Sequence, residues 1–192
     1  PVSLEMIEAA RMVGVNFIIN AVTGSNKEVV KIVAGDLVAA WYEAVETSSS
    51  MFEIPFEKQV DICVSSACGY PRDVNMYQAQ KALDHADRIT RDGGTIILVT
   101  ESPSGYGEDV FERMTPQQIM DRIRTNFVMG GHKAYGFAKV AANKKFILVS
   151  SLSAEDSLPL FATKAESVQA AFDAALAENP GATVAVLPQG SL

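Results

Sequence analysis

The chain has 192 residues, of which 48% are hydrophobic and 20% charged, and its net charge is −7. Its 16 lysines and arginines are scattered rather than clustered, so a nucleic-acid partner is excluded. No run reaches the roughly 20 apolar residues that cross a bilayer, and no signal peptide is predicted, which indicates a cytoplasmic protein without a membrane partner.

The first 56 residues are predicted to form a helix, a strand pair and a second helix. Ser3 is the predicted cap of a helix that ends at Gly14, and the strands cover 15–23 and 27–35. The second helix begins at Asp36 and ends in the serine run 48–50. Because helical pattern begins directly after Pro1, we expect a processed chain or a piece of a longer one. This small piece needs further chain to pack against.

From residue 57 onward strands and helices alternate. The nearly continuous apolar runs 59–66, 93–102, 144–153 and 183–188 predict four buried parallel strands. Helical patterns at 74–90, 115–127, 131–144 and 164–181 separate or follow them. The predicted fold is therefore α/β, a three-layer parallel-sheet (Rossmann-like) domain at 57–192 that follows the helix–hairpin–helix segment at 1–56.

Two cysteines, Cys63 and Cys68, are too few for a disulfide scaffold and have no nearby Cys or His to complete a zinc site. We expect reduced thiols, with Cys63 filling the core; a reactive Cys68 is the less favoured alternative. The sequence contains no GxGxxG after a strand, no P-loop and no GxSxG, so nucleotide binding by the usual motifs and a serine nucleophile elbow are not predicted.

Ligands of parallel α/β sheets bind beyond the carboxyl ends of the strands, where this chain has loops at 65–75, 100–109 and 150–160. The first loop leads to a helix that Asn75 is predicted to cap. Unpaired N–H groups at that helix start, together with the helix dipole, would favour an anion such as a carboxylate or phosphate.

Polar residues on this helix recur at spacings of three and four, at Gln78, Lys81, His85 and Arg88. An amide and an ammonium near the loop suit a carboxylate, and a lysine in the first turns opposes the usual dipole preference, as functional sites often do. A solvent-exposed polar face explains the same pattern slightly better on these grounds alone.

The two histidines give a weaker indication of function than the polar residues of this helix. His85 is expected at the surface or in an interface. His132 begins a helix and either faces a cleft with Lys133 and Tyr135 or has a structural role.

The block 61–107, "DICVSSACGYPRDVNMYQAQKALDHADRITRDGGTIILVTESPSGYG", resembles the C-terminal domain of the nickel-dependent lactate racemase family. Its core, GYPxDxNxYQxxKxL, is long and specific. Residues 9–36 resemble the end of that family's N-terminal domain. The segment 182–192 resembles its terminal strand, which is expected to return to the N-terminal domain. The resemblance covers nearly all of this chain, but about the second half of a family member.

The resemblance implies interconversion of 2-hydroxy acid stereoisomers with a nickel pincer nucleotide derived from nicotinic acid, hydride leaving and returning at C2. Gln78 and Lys81 would bind the substrate carboxylate, and Tyr77 would shape that site. Lactate-specific members carry an aromatic residue near the cofactor in the region of His132, where this sequence departs from them. The weaker candidates for substrate contact are Gly69, Tyr70, Arg72, Asp73 and His132.

The proton-transferring histidines, the nickel-binding histidine and the cofactor-linked lysine of the family belong to its N-terminal half, so no catalytic residue or metal ligand is expected here. The sequence therefore predicts the C-terminal portion of a 2-hydroxyacid racemase or epimerase, inactive alone. Its expected partners are a small 2-hydroxy acid and the missing N-terminal domain; a homo-oligomer is left open. The alternatives are a non-catalytic binding module of the same fold and an epimerase of another 2-hydroxy acid such as a sugar acid.

Overall fold

The structure is a computed structural model that describes residues 2–107 and 114–192. Contacts between Cα atoms divide it into two compact units, Pro1–Pro55 and Phe56–Leu192. Residues 108 and 109 of the predicted second loop lie outside the described residues. No helix within the described ranges is long and apolar enough to cross a membrane.

The first unit consists of α1 (Val2–Met12), β1 (Ile18–Thr23), β2 (Val29–Gly35) and α2 (Leu37–Phe52), with β1 and β2 antiparallel. Asp36 lies at the start of α2 as predicted and caps it, because its Oδ1 accepts the N–H groups of Val38 and Ala39 at 2.9 and 3.0 Å.

Two helix ends of this unit differ from the prediction. Ser3 lies inside α1, so its assignment as the cap is wrong. The helix α2 continues through the serine run to Phe52, where the Ser50 hydroxyl donates to the Thr47 carbonyl at 2.8 Å. Serine hydroxyls that bond to the preceding turn can remain inside a helix, which is why the run does not end it.

The second unit contains a five-stranded parallel sheet in the order β6-β5-β4-β3-β7, which confirms the predicted α/β class. The strand β6 was not predicted, since it has two residues and no apolar run of its own. In chain order the elements are β3 (Val60–Ser66), α3 (Met76–Ile89), β4 (Thr90–Val99), α4 (Pro116–Thr125), α5 (Gly131–Asn143), β5 (Lys145–Val149), α6 (Ala154–Ser157), a 3-10 turn (Leu158–Leu160), β6 (Thr163–Lys164), α7 (Val168–Glu178) and β7 (Val184–Leu187).

Successive strand residues point to opposite sides of the sheet, which gives it two apolar faces, and helices cover both. Cys63 of β3 and Ile96 of β4 pack with buried residues of α3 and α5. Their neighbours Ile62 and Ile97 pack with Ala171 of α7 on the other face. This places α3 and α5 side by side in one layer.

The segment 182–192 lies with the second unit in this structure. Its strand β7 pairs in parallel with β3, and the Gly190 N–H donates to the Ser66 carbonyl at 3.0 Å. At the opposite end of β3, Asp61 accepts from the N–H and hydroxyl of Thr183 at 2.7 and 2.6 Å. These bonds, and a further one from Arg91, hold the pKa of Asp61 well below its usual range.

An ion pair joins α3 to α5. Asp87 of α3 is 8% exposed and accepts from Lys139 at 2.8 Å and from Lys144, which follows α5. Burial raises the pKa of Asp87, but the hydrogen bonds from the two lysines outweigh this and lower it overall. The contact joins the C-terminal ends of α3 and α5.

Candidate functional site

The loop after β3 turns sharply before α3. Cys68 and Gly69 have φ values of +75° and +73°, and the Gly69 carbonyl accepts the N–H groups of Arg72 and Asp73 at 2.9 and 3.2 Å. Asp73 is buried, and its Oδ2 accepts the Glu101 N–H at 3.3 Å. Asp73 therefore ties this loop to the loop after β4.

Asn75 caps α3 as predicted, since its Oδ1 accepts the Gln78 N–H at 3.0 Å. The N–H groups of Met76 and Tyr77 donate to the carbonyls of Gly105 and Tyr106, each at 3.0 Å. The prediction that unpaired N–H groups at this helix start would bind an anion is therefore wrong. The N–H groups of Met76, Tyr77 and Gln78 are already paired within the chain.

Gln78 and Lys81 form a pair on α3. The Lys81 Nζ donates to the Gln78 Oε1 at 2.8 Å, one turn back along the helix. Lys81 is exposed and Gln78 half-buried, and within the described ranges Lys81 has no carboxylate partner. The bond occupies the amide oxygen of Gln78, so the amide NH₂ and the ammonium are the groups left to donate.

The side chain of Tyr77, in the first turn of α3, contacts the start of α5. The exposed His132 ring meets the Tyr77 ring edge-on, with centroids 5.9 Å apart and planes at 83°. The Lys133 Nζ lies 5.0 Å from the Tyr77 ring centroid. Sequence reasoning did not select Lys133 as a site residue; its place next to His132 at a helix start was the available indication.

The structure thus pairs Tyr77 with His132 and Gln78 with Lys81, and the charge of Lys81 acts on Lys133. The other candidates lie on the loop that precedes α3. Tyr70 is 83% exposed on the loop. Arg72 is exposed there too, while Gly69 and Asp73 shape the turn and its anchor.

Two further residues have structural contacts. His85 is half-buried, and its Nδ1 lies 2.7 Å from the Gly190 carbonyl oxygen, so it holds the closing segment (residues 182–192) to α3. Tyr135 contacts Arg124 of α4, whose guanidinium carbon lies 5.8 Å from the ring centroid.

Both cysteines are free thiols, as predicted. Cys63 is fully buried, and this burial raises its pKa to about 11 despite a hydrogen bond with Thr90. Cys68 is half-buried, with its Sγ 3.8 Å from the Ser66 carbonyl. Across residues 2–107 and 114–192, no three His, Cys, Asp or Glu side chains converge as a metal site would require.

Comparison with known families and proteins gives consistent matches. The family described as "Lactate racemase C-terminal domain" matches residues 56–191. A lactate racemase of Lactiplantibacillus plantarum is 30% identical over 197 residues, which cover 97% of this chain and 46% of the relative. A lactate racemase of Thermoanaerobacterium thermosaccharolyticum is 30% identical over 201 residues, which cover 99% and 47%. The chain spans just under half the length of these curated relatives.

Solved structures agree with the sequence matches. The lactate racemase apoprotein from Thermoanaerobacterium thermosaccharolyticum superimposes with a TM-score of 0.89 at 28% identity, over 97% of this chain and 47% of that one. A Thermotoga maritima protein superimposes with a TM-score of 0.58 at 14% identity, over 91% and 47%, and shares the fold.

Proposed function

This chain belongs to the lactate racemase family, and from that premise we propose that it is the C-terminal portion of a 2-hydroxyacid racemase or epimerase that binds the substrate carboxylate. The observation that carries this proposal is the Lys81–Gln78 hydrogen bond of 2.8 Å near the start of α3. It leaves an ammonium and an amide NH₂ free to donate to one anion. The protein would then be an isomerase, and the present portion would be inactive by itself.

Carboxylate binding by this pair has a simple physical basis. A carboxylate has two oxygens, one for the Lys81 Nζ and one for the Gln78 Nε2, and the bond to the ammonium is charge-assisted. Lys81 is exposed here. Closure of a partner domain over the site would remove water and strengthen the interaction.

Tyr77 would form one wall of the same site. Its ring is held between His132 and Lys133. In this arrangement His132 supplies a ring next to Tyr77 at the region where lactate-specific family members have an aromatic residue. The substrate is therefore proposed only as a 2-hydroxy acid, with lactate and sugar acids as the two classes to compare.

The proposed cofactor is the nickel pincer nucleotide that the family resemblance implies. The described residues offer no group of three metal-ligating side chains, so they do not fit a nickel site. We therefore assign this chain no step that passes through the metal. The cofactor would be held mainly by the N-terminal domain, which is the proposed partner of this portion.

The test is an assay of the full-length protein, loaded with the cofactor, on both stereoisomers of lactate and of several sugar acids. Lys81→Ala should abolish most turnover while the cofactor stays bound, and Arg88→Ala, an exposed cation on the same helix, should not. Unchanged turnover in Lys81→Ala would refute the carboxylate assignment. Binding of a 2-hydroxy acid by the wild type without any turnover would support the binding module instead.

A further inference from the structure

Lys133, in the first turn of α5, is a buried cation. It is 8% exposed, and its Nζ donates to the Gln80 Oε1 at 2.9 Å. The same Nζ lies 5.0 Å from the centroid of the Tyr77 ring. Among residues 2–107 and 114–192 no carboxylate lies within ion-pair distance of it.

A second buried lysine of the same unit shows what a structural lysine looks like here. Lys144 is 7% exposed, forms an ion pair with Asp87 and lies 3.7 Å from Asp92. Burying a charge without a partner of opposite sign is unfavourable. Lys133 therefore carries a desolvation cost that Lys144 offsets with carboxylates.

Other residues are arranged to keep Lys133 in place. The Gln80 Nε2 donates to the Asp84 Oδ1 at 3.2 Å, which directs the Gln80 Oε1 toward Lys133. Gly136 leaves room for this amide, since a Cβ there would overlap the Gln80 Nε2. Burial lowers the pKa of Lys133, the charge of Lys81 lowers it further, and the charge of Asp84 opposes both.

We propose that Lys133 is a positioning residue for the carboxylate site: with Gln80 it fixes the Tyr77 ring and places a second positive charge behind the Gln78–Lys81 pair. It acts through Tyr77 and through its charge, without touching the substrate. The geometry supports this role because the ammonium is held by one neutral amide and one ring, both on α3. The substrate part of the inference rests on the proposed function; the fixing of Tyr77 does not.

Lys133→Met is the sharpest test, because methionine has a similar length and no charge. Replacing a poorly paired buried charge by an apolar side chain is often neutral or stabilising. We therefore expect full-length Lys133→Met to keep or raise its Tm and to show a KM for the 2-hydroxy acid that is higher by about tenfold, with a smaller change in kcat. Lys144→Met is the control matched for burial, and it should lower the Tm and leave KM unchanged.

Gly136→Ala tests the same arrangement without touching a charge. The added methyl group would displace the Gln80 amide from Lys133, so KM should rise in the same direction but by less than in Lys133→Met. If KM rises in Lys133→Met but not in Gly136→Ala, Gln80 does not help to position Lys133.

Near-UV circular dichroism of the full-length protein provides a readout independent of activity. Lys133→Met should change the tyrosine signal, and the same substitution should cause no change in a Tyr77→Leu background. If that holds but the wild type turns over no 2-hydroxy acid, the proposed function fails while the fixing of Tyr77 stands. Three results for Lys133→Met would each overturn the positioning role. They are an unchanged KM while the wild type is active, an unchanged tyrosine signal, and a loss of Tm as large as that of Lys144→Met.

Discussion

The Lys81 ammonium donates to the Gln78 amide oxygen at 2.8 Å, so the orientation of the Gln78 amide is set by its neighbour on α3. With that oxygen occupied, the NH₂ group is the part of Gln78 that can meet a ligand, and Lys81 retains two further donors. The pair therefore presents only hydrogen-bond donors to an anion. Because the Lys81 ammonium orients the Gln78 amide through this bond, a substitution at Gln78 changes both groups and tests the arrangement.

Gln78→Glu should impair the enzyme more than Gln78→Ala. A hydrogen bond to a charged group contributes about 1.5–3 kcal/mol, so Gln78→Ala should lower kcat/KM on the order of tenfold or more. Gln78→Glu also places a carboxylate beside the position proposed for the substrate carboxylate and neutralises Lys81, so the loss should be larger still. The measurement is kcat/KM of the cofactor-loaded full-length protein, with Tm as the check on folding. Equal activity in the two variants would contradict the assigned amide orientation.

The sequence predicted α3, its Asn75 cap and the main strands in their order along the chain, because each depends on local pattern; it did not predict their order in the sheet. It did not predict that the Met76 and Tyr77 N–H groups are occupied, since their acceptors, Gly105 and Tyr106, come from a loop about thirty residues further along the chain. Periodicity shows which residues of a helix share a face and does not show which neighbour covers that face.

The same limit explains why the sequence did not predict the role of Lys133 or the strand β6. Lys133 meets Tyr77 because α5 packs on α3, a contact that neither helix encodes by itself. The two residues of β6 form a strand only because β5 offers an edge for them to pair with. Both features arise from tertiary packing, which overrides weak local preference.

Asp87 should stabilise the fold in a pH-dependent way. Its carboxylate accepts from Lys139 at 2.8 Å and from the buried Lys144, and Asp87→Asn breaks both pairs. Breaking a buried ion pair from one side costs about 3 kcal/mol, and we expect a loss of this size in the free energy of unfolding at pH 7. Asp92→Asn is the control, since Asp92 is 85% exposed and 3.7 Å from Lys144, and its effect should be negligible.

The sign of the pH effect follows from the pKa of Asp87, which is lower in the folded protein than its ordinary value. A carboxyl with a lowered folded pKa adds stability above its unfolded pKa of about 3.9 and loses it as the pH falls through the folded pKa. The difference between wild type and Asp87→Asn in urea unfolding should therefore be full at pH 7 and shrink below about pH 4. A difference that stays constant down to pH 3 would count against the ion pair as its source.

The two cysteines should differ in reactivity. Cys63 is fully buried with a pKa raised to about 11, so almost none of it is thiolate near neutral pH. Cys68 is half-buried in the loop before α3. Iodoacetamide should label Cys68 of the folded protein and label Cys63 only after urea is added, as peptide mass spectrometry would show. Labelling of Cys63 at the rate of Cys68 in the folded state would contradict the packing of β3.

Gly190 should be required for the closing segment to lie against α3. Its N–H donates to the Ser66 carbonyl at 3.0 Å, and its carbonyl oxygen lies 2.7 Å from the His85 Nδ1. A Cβ at this position would overlap the Ser65 Oγ and would lie 3.0 Å from the Ser66 carbonyl oxygen. Gly190→Ala should therefore destabilise the protein by about 1–3 kcal/mol, the usual cost of overpacking.

Hydrogen exchange locates this effect, because Gly190→Ala should speed exchange in the peptide that contains β7 and residues 188–192 while leaving β4 and β5 protected. Ser65→Ala removes the hydroxyl that the new methyl group would meet, at the cost of its 3.1 Å hydrogen bond to the Ala82 carbonyl. The double variant should then lose less stability than the two single losses added together, since the sites share one contact. Strict additivity, or unchanged exchange in Gly190→Ala, would show that the closing segment is not held in this way.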